Sequence, residues 1–172
     1  MSDETALTDA RNAIAEAVAA LREGGVADEA LAEFVPEHRV LLVKRSATMR
    51  KLGRVWRLGV LLIDESGRLF VGGGHTRAQS SGHPNFQSLS AEQRREYREA
   101  AKHAGFAEGE SVNFEAREIA FESSLRTSPG VIALDDEGVK VRWSPEGGLV
   151  PLRAYLAERV ELALRPPQGA GD

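Results

Sequence analysis

The sequence predicts an α+β fold: a mostly antiparallel sheet of about five or six strands, flanked by N-terminal, middle and C-terminal helices. Three observations lead there. Two pairs of β-rich runs are joined by short acidic turns that end in glycine, at residues 64–67 and 135–138. Apolar residues recur at helical spacing near both ends of the chain and once in the middle. No repeat and no Pro/Gly/Ser-rich linker divides the 172 residues, so 1–164 read as a single domain and 165–172, with Pro, Gly and Ala, as a disordered tail.

Taken in order, Thr8 is placed to cap a first helix that ends at Gly24-Gly25, with Ile14, Val18 and Leu21 on one face. A short second helix is predicted over 28–34, stopping before Pro36. Residues 39–44 read as a short strand around the apolar run Val40-Leu41-Leu42-Val43, and 46–53 as a polar, basic connection. Residues 55–63 and 68–73 form the first predicted hairpin, whose turn suits a left-handed Gly67. Gly72-Gly73-Gly74 then lets the backbone bend sharply or approach a ligand closely. Ser90-Ala91-Glu92-Gln93 reads as a capping box for a helix over 91–104, with Leu89, Tyr97, Ala101 and Ala104 as its apolar stripe and Gly105 as its left-handed stop. A strand near 112–114, another near 118–121, and a second hairpin pairing 131–134 with 139–143 follow. Pro151 suits the first turn of a closing helix whose apolar face is Leu152, Tyr155, Leu156, Val160 and Leu164.

Composition excludes several chemistries. There is no cysteine, which removes disulfides, thiolate metal sites and cysteine nucleophiles. The longest apolar run is residues 17–21, too short for a bilayer, and the acidic, Ala-rich N-terminus does not resemble a signal peptide, so a cytoplasmic location is expected. The net charge of −4 conceals a segregation. Residues 1–37 carry nine acids and two bases, 38–63 carry seven bases and no acid, and the remainder carries seventeen acids and thirteen bases. The basic stretch reads either as an anion-binding face or as strands covered by the acidic N-terminal helices. The net negative charge and the lack of an RNP-type signature argue against nucleic acid, even though Trp56, Phe70 and Phe86 interleave with the basic residues.

Residues 72–90 hold two of the four histidines and little apolar pattern, and long connections of this kind in compact domains are usually functional or disordered. His75 and His83 are the candidate general bases. Their spacing matches no metal-ligand pattern and no carboxylate lies between Arg68 and Ala91, so no metal is expected there, and no cofactor is indicated. Ser80 and Ser81 adjoin His83 without a Gly-x-Ser-x-Gly elbow. Arg77 and Asn85, with Arg50 and Arg57 from the basic stretch, are the candidate ligand contacts, because guanidinium groups hold carboxylate or phosphate bidentately. Phosphate-loop and dinucleotide fingerprints are absent.

The order strand, hairpin, loop, helix, strands, closing helix resembles the Nudix hydrolase fold. Arg95-Glu96-Tyr97-Arg98-Glu99 is similar to the middle of that family's box, while Ala100 stands at the second Glu of its pair, Lys102 at its Gly, Gln87 at its earlier Glu and Ser81 at its first Gly. The resemblance implies a hydrolase fold whose metal-binding carboxylates are degenerate here. The chain also resembles a group of small bacterial proteins sometimes labelled glutaminase, through Trp56-Arg57-Leu58-Gly59-Val60-Leu61-Leu62, residues 105–110, 141–144 and 150–156. That likeness brings no catalytic motif; Thr48-Met49-Arg50-Lys51 has Thr where serine-type glutaminases place their nucleophile.

Together these features lead to an expectation of a cytoplasmic domain that binds a small anionic or amide-containing ligand. Two alternatives stay open. One is a hydrolase, glutaminase-like or degenerate Nudix-like. The other is a protein-interaction module whose charge-segregated faces assemble, a homodimer being the simplest product.

Overall fold

The computed structural model describes residues 1–40, 43–78, 89–127, 130–144 and 147–166. The elements run α1 (Asp3–Glu23), β1 (Glu29–Val35), β2 (His38–Val40), β3 (Val43–Arg45), β4 (Thr48–Leu58), β5 (Leu61–Asp64), β6 (Leu69–Val71), β7 (Gly74–Arg77), α2 (Leu89–His103), β8 (Ser111–Phe114), β9 (Arg117–Glu118), a 3-10 turn (Ser123–Arg126), β10 (Ile132–Asp135), β11 (Gly138–Arg142), β12 (Leu149–Pro151) and α3 (Leu152–Leu164). The class is α+β with mostly antiparallel pairing; β1 with β8 is a parallel pair. The chain forms two compact units that alternate along the sequence: 1–28, 56–71 and 118–172 make the first, 29–55 and 72–117 the second. The tail from residue 167 onward lies outside the described residues.

In the first unit, α1 begins at Asp3, not beyond Thr8. Ser2 caps it, its Oγ accepting the Thr5 amide at 3.2 Å, and Asp3 and Glu4 complement the helix dipole. The buried stripe reaches back to Ala6 and Leu7, which draws Thr8 into the helix on its exposed face. Helix α1 packs on α3, β11 and β5. β10, β11 and β12 form a three-stranded antiparallel sheet. β12 pairs with β11 just before α3, so Pro151, expected in the first turn of the closing helix, instead ends β12 and stands at the N-cap of α3. Leu152, Tyr155, Leu156 and Val160 are buried as expected, whereas Leu164 is partly exposed.

The predicted strand 55–63 is two elements. β4 ends at Leu58 and the chain turns through Gly59, φ +65°, into β5. Tyr155 explains the turn. Its hydroxyl donates to the Leu58 carbonyl at 2.9 Å and accepts the Val60 amide at 2.9 Å. A Cβ at Gly59 would stand 2.3 Å from that hydroxyl, so both the dihedral and the space select glycine. The next turn forms as expected: Gly67, φ +83°, donates to Asp64 O at 3.0 Å, and β5 pairs with β6.

In the second unit the strand order is β7-β8-β1-β4, with α2 packed on β7. The helix predicted over 28–34 is instead β1. Ala, Leu and Glu are good helix formers, but Ala30, Leu31 and Ala32 are buried in succession, as suits a strand flanked by β4 and β8. The basic connection 46–53 is likewise the first half of β4. Its register slips between Leu31↔Gly53 and Ala32↔Lys51, which leaves Leu52 as a bulged, exposed residue. Residues 39–44 do not make one buried strand: β2 and β3 pair antiparallel, with Val40 opposite Val43, and Val43 is 63% exposed. Residues 41–42 lie outside the described residues.

Helix α2 ends as predicted, with Gly105 at φ +74° donating to Lys102 O at 2.9 Å. It is already helical at Leu89 and Ser90, so Ser90 stands inside the first turn, a one- or two-residue shift of a helix end. Ala100 and Ala101 pack against a core of Ala30, Ala32, Met49, Ala78, Phe106, Val112 and Phe114. Tyr97 stacks between Phe34 and Phe114, at 4.8 and 4.4 Å between ring centroids. Gly73, φ +79°, lets the chain pass so close to β8 that a Cβ would lie 2.2 Å from Phe114 O.

Candidate functional site

Alternation along a strand decides which side chains of the second unit share a face. His75 and Arg77 point to one side of β7, Thr76 to the other. The register places His75 opposite Asn113 and Arg77 opposite Ser111, and β1 then sets Leu31 beside Asn113. Glu29, two residues before Leu31, falls on the same face. The result is a polar patch on three strands.

Asn113 is its fixed point. It is 0% exposed, and its Nδ2 donates to Glu29 Oε2 at 2.8 Å and to the Ala30 carbonyl at 3.0 Å. Burial of an amide is tolerated only with such partners, and here they orient the Glu29 carboxylate. His75 Nε2 lies 3.9 Å from the same Glu29 oxygen, longer than a hydrogen bond but close enough for an imidazolium to feel the charge.

A cavity of about 390 Å³ lies beside β7 and the N-terminal half of α2. His75, Thr76, Ala91, Arg94 and Arg98 line it, so no carboxylate does among the described residues. Arg94 and Arg98 are four apart on one helix face, where like charges repel by about 0.2–0.5 kcal/mol. Arg98 Nε donates to the Arg94 carbonyl at 3.2 Å, and the neighbouring Arg95 is matched by Glu99 at 3.1 Å.

The sequence-predicted residues are distributed unevenly. His75 belongs both to the polar patch and to the cavity lining. Arg77 shares the His75 face, is exposed, and makes no ion pair among the described residues. Arg50 is on β4 in the second unit and pairs with Glu33, its cross-strand neighbour. Arg57, also on β4, is exposed and belongs to the first unit. His83 and Asn85 lie outside the described residues. The residues that sequence reasoning missed are Glu29, Asn113, Arg94 and Arg98. The first two join His75 only through strand register; the last two lie outside the apolar stripe Leu89, Tyr97, Ala101 and Ala104 that the sequence marks on that helix.

The acid-free basic stretch acquires acids through pairing. Glu33 meets Arg50, Glu37 meets Lys44 at 2.9 Å, and Glu110 meets Arg54. Glu110 also accepts the Ala107 amide, and that bond together with Arg54 holds its carboxyl below the usual range. The acids of α1 are matched elsewhere: Asp3 to Arg126 at 2.7 Å, and Asp9 and Glu16 to Arg153 at 2.7 and 2.5 Å. Lys51 reaches the Gly105 carbonyl at 3.1 Å and lies 4.7 Å from the Phe106 ring centroid, closing the end of α2.

Among the described residues, no group of three His, Asp or Glu side chains is placed to hold a metal ion, and no helix is long and apolar enough to cross a membrane. Ala100, at the position of a metal-binding Glu in the Nudix pattern, is buried in the core beneath α2. No family model, curated protein or solved structure matches the chain.

Proposed function

We propose that the second unit binds a small anionic ligand, a phosphate or carboxylate, in the cavity beside β7 and α2. The observation that carries this reading is the lining itself: Arg94 and Arg98 of α2 border about 390 Å³ beside Thr76 at β7. Arginine offers a planar fork for bidentate anion contacts, and the neighbouring first turn of α2 adds amides oriented toward negative charge.

Isothermal titration with inorganic phosphate, nucleotides, glutamate and glutamine tests this. A charge-assisted contact is worth about 1.5–3 kcal/mol, so Arg98→Ala should weaken a bound anion about tenfold or more. Titrations in which Arg94→Ala and Arg98→Ala both leave every affinity unchanged would remove the cavity as the site.

The pairing of His75 with an oriented Glu29 favours one second reading, a hydrolase with His75 as general base. Ammonia release from glutamine or phosphate release from nucleotides, abolished by His75→Ala and shifted in pH profile by Glu29→Gln, would establish it. Absence of both products with and without magnesium would sink it.

A further inference from the structure

A second cavity, larger than the arginine-lined one, lies within the first unit. It holds about 540 Å³ between α1, the β5–β6 turn and residues 118–121. Ile14, Val18, Leu69 and Ile119 line it, and all four are buried. Ala15 and Ala19 expose only methyl groups along the same helix face, which leaves the groove open where larger side chains would fill it. Its walls are held in register by the Ile119 amide, which donates to Leu69 O at 2.8 Å.

Three arginines rim this apolar trough, and two are matched. Arg22 Nη2 is 2.8 Å from Glu65, and Arg68 Nε is 2.6 Å from Asp64, with Glu118 at 3.9 Å from its Nη1. Arg11 differs. Its Nη2 donates to the Phe121 carbonyl at 2.8 Å, which fixes the guanidinium at the mouth, yet it makes no ion pair among the described residues. Arg11 and Arg22 are eleven residues apart on one helix, about 16 Å at the helical rise. The trough thus has one anchored, uncompensated cation at one end and a closed ion pair at the other.

We propose that this groove binds an amphipathic monocarboxylate, with the carboxylate on Arg11 and an apolar chain or ring laid over Val18 and Leu69 toward Arg22. The charge balance selects a single negative charge: a dianion would meet Glu65 or Glu118, and a neutral apolar molecule would leave Arg11 without a counter-charge. The apolar lining selects a hydrophobic body over a small polar acid such as acetate.

Octanoate is the probe, with acetate and octanamide as comparisons, read by two-dimensional amide NMR and calorimetry on the full chain. Saturable octanoate binding is expected, with shifts confined to α1, residues 65–69 and 118–121. Octanamide and acetate should each bind about tenfold more weakly or worse. Arg11→Gln, at an exposed position, should weaken octanoate about tenfold while unfolding at the same temperature. Ala15→Leu, also exposed, should block the groove without altering the fold. The proposal is overturned if octanoate does not saturate, if octanamide binds equally well, or if Arg11→Gln leaves the affinity unchanged.

Discussion

The two units are built from different materials. Among the described residues, the core of the first joins two helices and several strands through large aliphatic side chains: Leu21, Leu61, Ile63, Leu69, Ile132 and Leu156 are all 1% exposed or less. The core beneath α2 in the second unit is thin, and alanines supply five of its nine buried residues. An alanine buries little area, so this core draws less from the hydrophobic effect. What it gains is proximity: small side chains let α2 approach the sheet, and the chain at Gly73 runs against the β8 backbone. The contrast teaches that the first unit is organised for burial and the second for close positioning of charged groups on a small core.

The largest test of that contrast compares two core substitutions. Leu156→Ala in the first unit should cost about 2–5 kcal/mol, the usual range for a buried leucine. Ala101→Leu in the second, which overpacks a fully buried position, should cost about 1–3 kcal/mol. Native-state hydrogen exchange separates them: the second change should lower protection in α2 and β8 while α1 and α3 keep theirs. Equal loss of protection in both units would break the distinction.

A smaller effect sharpens the electrostatic side. Asp64 is almost buried at the first unit's β5–β6 turn. Burial opposes its charge, but bonds from Ser66 (amide 3.0 Å, hydroxyl 2.7 Å) and Arg68 (amide 2.9 Å, Nε 2.6 Å) outweigh it and hold the carboxyl below the ordinary range. A lowered folded-state value means that the stability is present above the unfolded value, about 3.9, and is lost as the pH falls through the folded value. Asp64→Asn should therefore cost about 1–3 kcal/mol at pH 7, and that gap should close in denaturation curves taken in the acid range.

The smallest effect belongs to the second unit's surface. Arg50 and Glu33 form an exposed cross-strand pair, so Arg50→Ala should change stability by under about 0.5 kcal/mol. A large loss would show that the paired charges, not the alanine core, hold that sheet.

Much of the fold was legible because its cues are local. The glycine-ended turns, the α2 stop at Gly105 and the stripe of α1 rest on residues a few positions apart. β1 was not legible: Glu-Ala-Leu-Ala-Glu reads as helix, and only pairing of Ala30 with Val112 and Arg54 makes it a strand. The basic run became β4 for the same reason. The candidate site follows this pattern. His75 stands out in sequence, but Glu29 and Asn113 reach it through strand register, and Arg94 and Arg98 carry no mark that distinguishes them from a solvated helix face.

The Tyr155 hydroxyl has a consequence for the order in which the chain matures. It closes the Leu58–Val60 turn from a helix that follows Leu58 by 97 positions. During synthesis on the ribosome, the turn between β4 and β5 is made long before its latch exists. Until α3 emerges, water must stand in for the Tyr155 hydroxyl at the Leu58 carbonyl and the Val60 amide, so this latch is a contact that only late-made chain can supply.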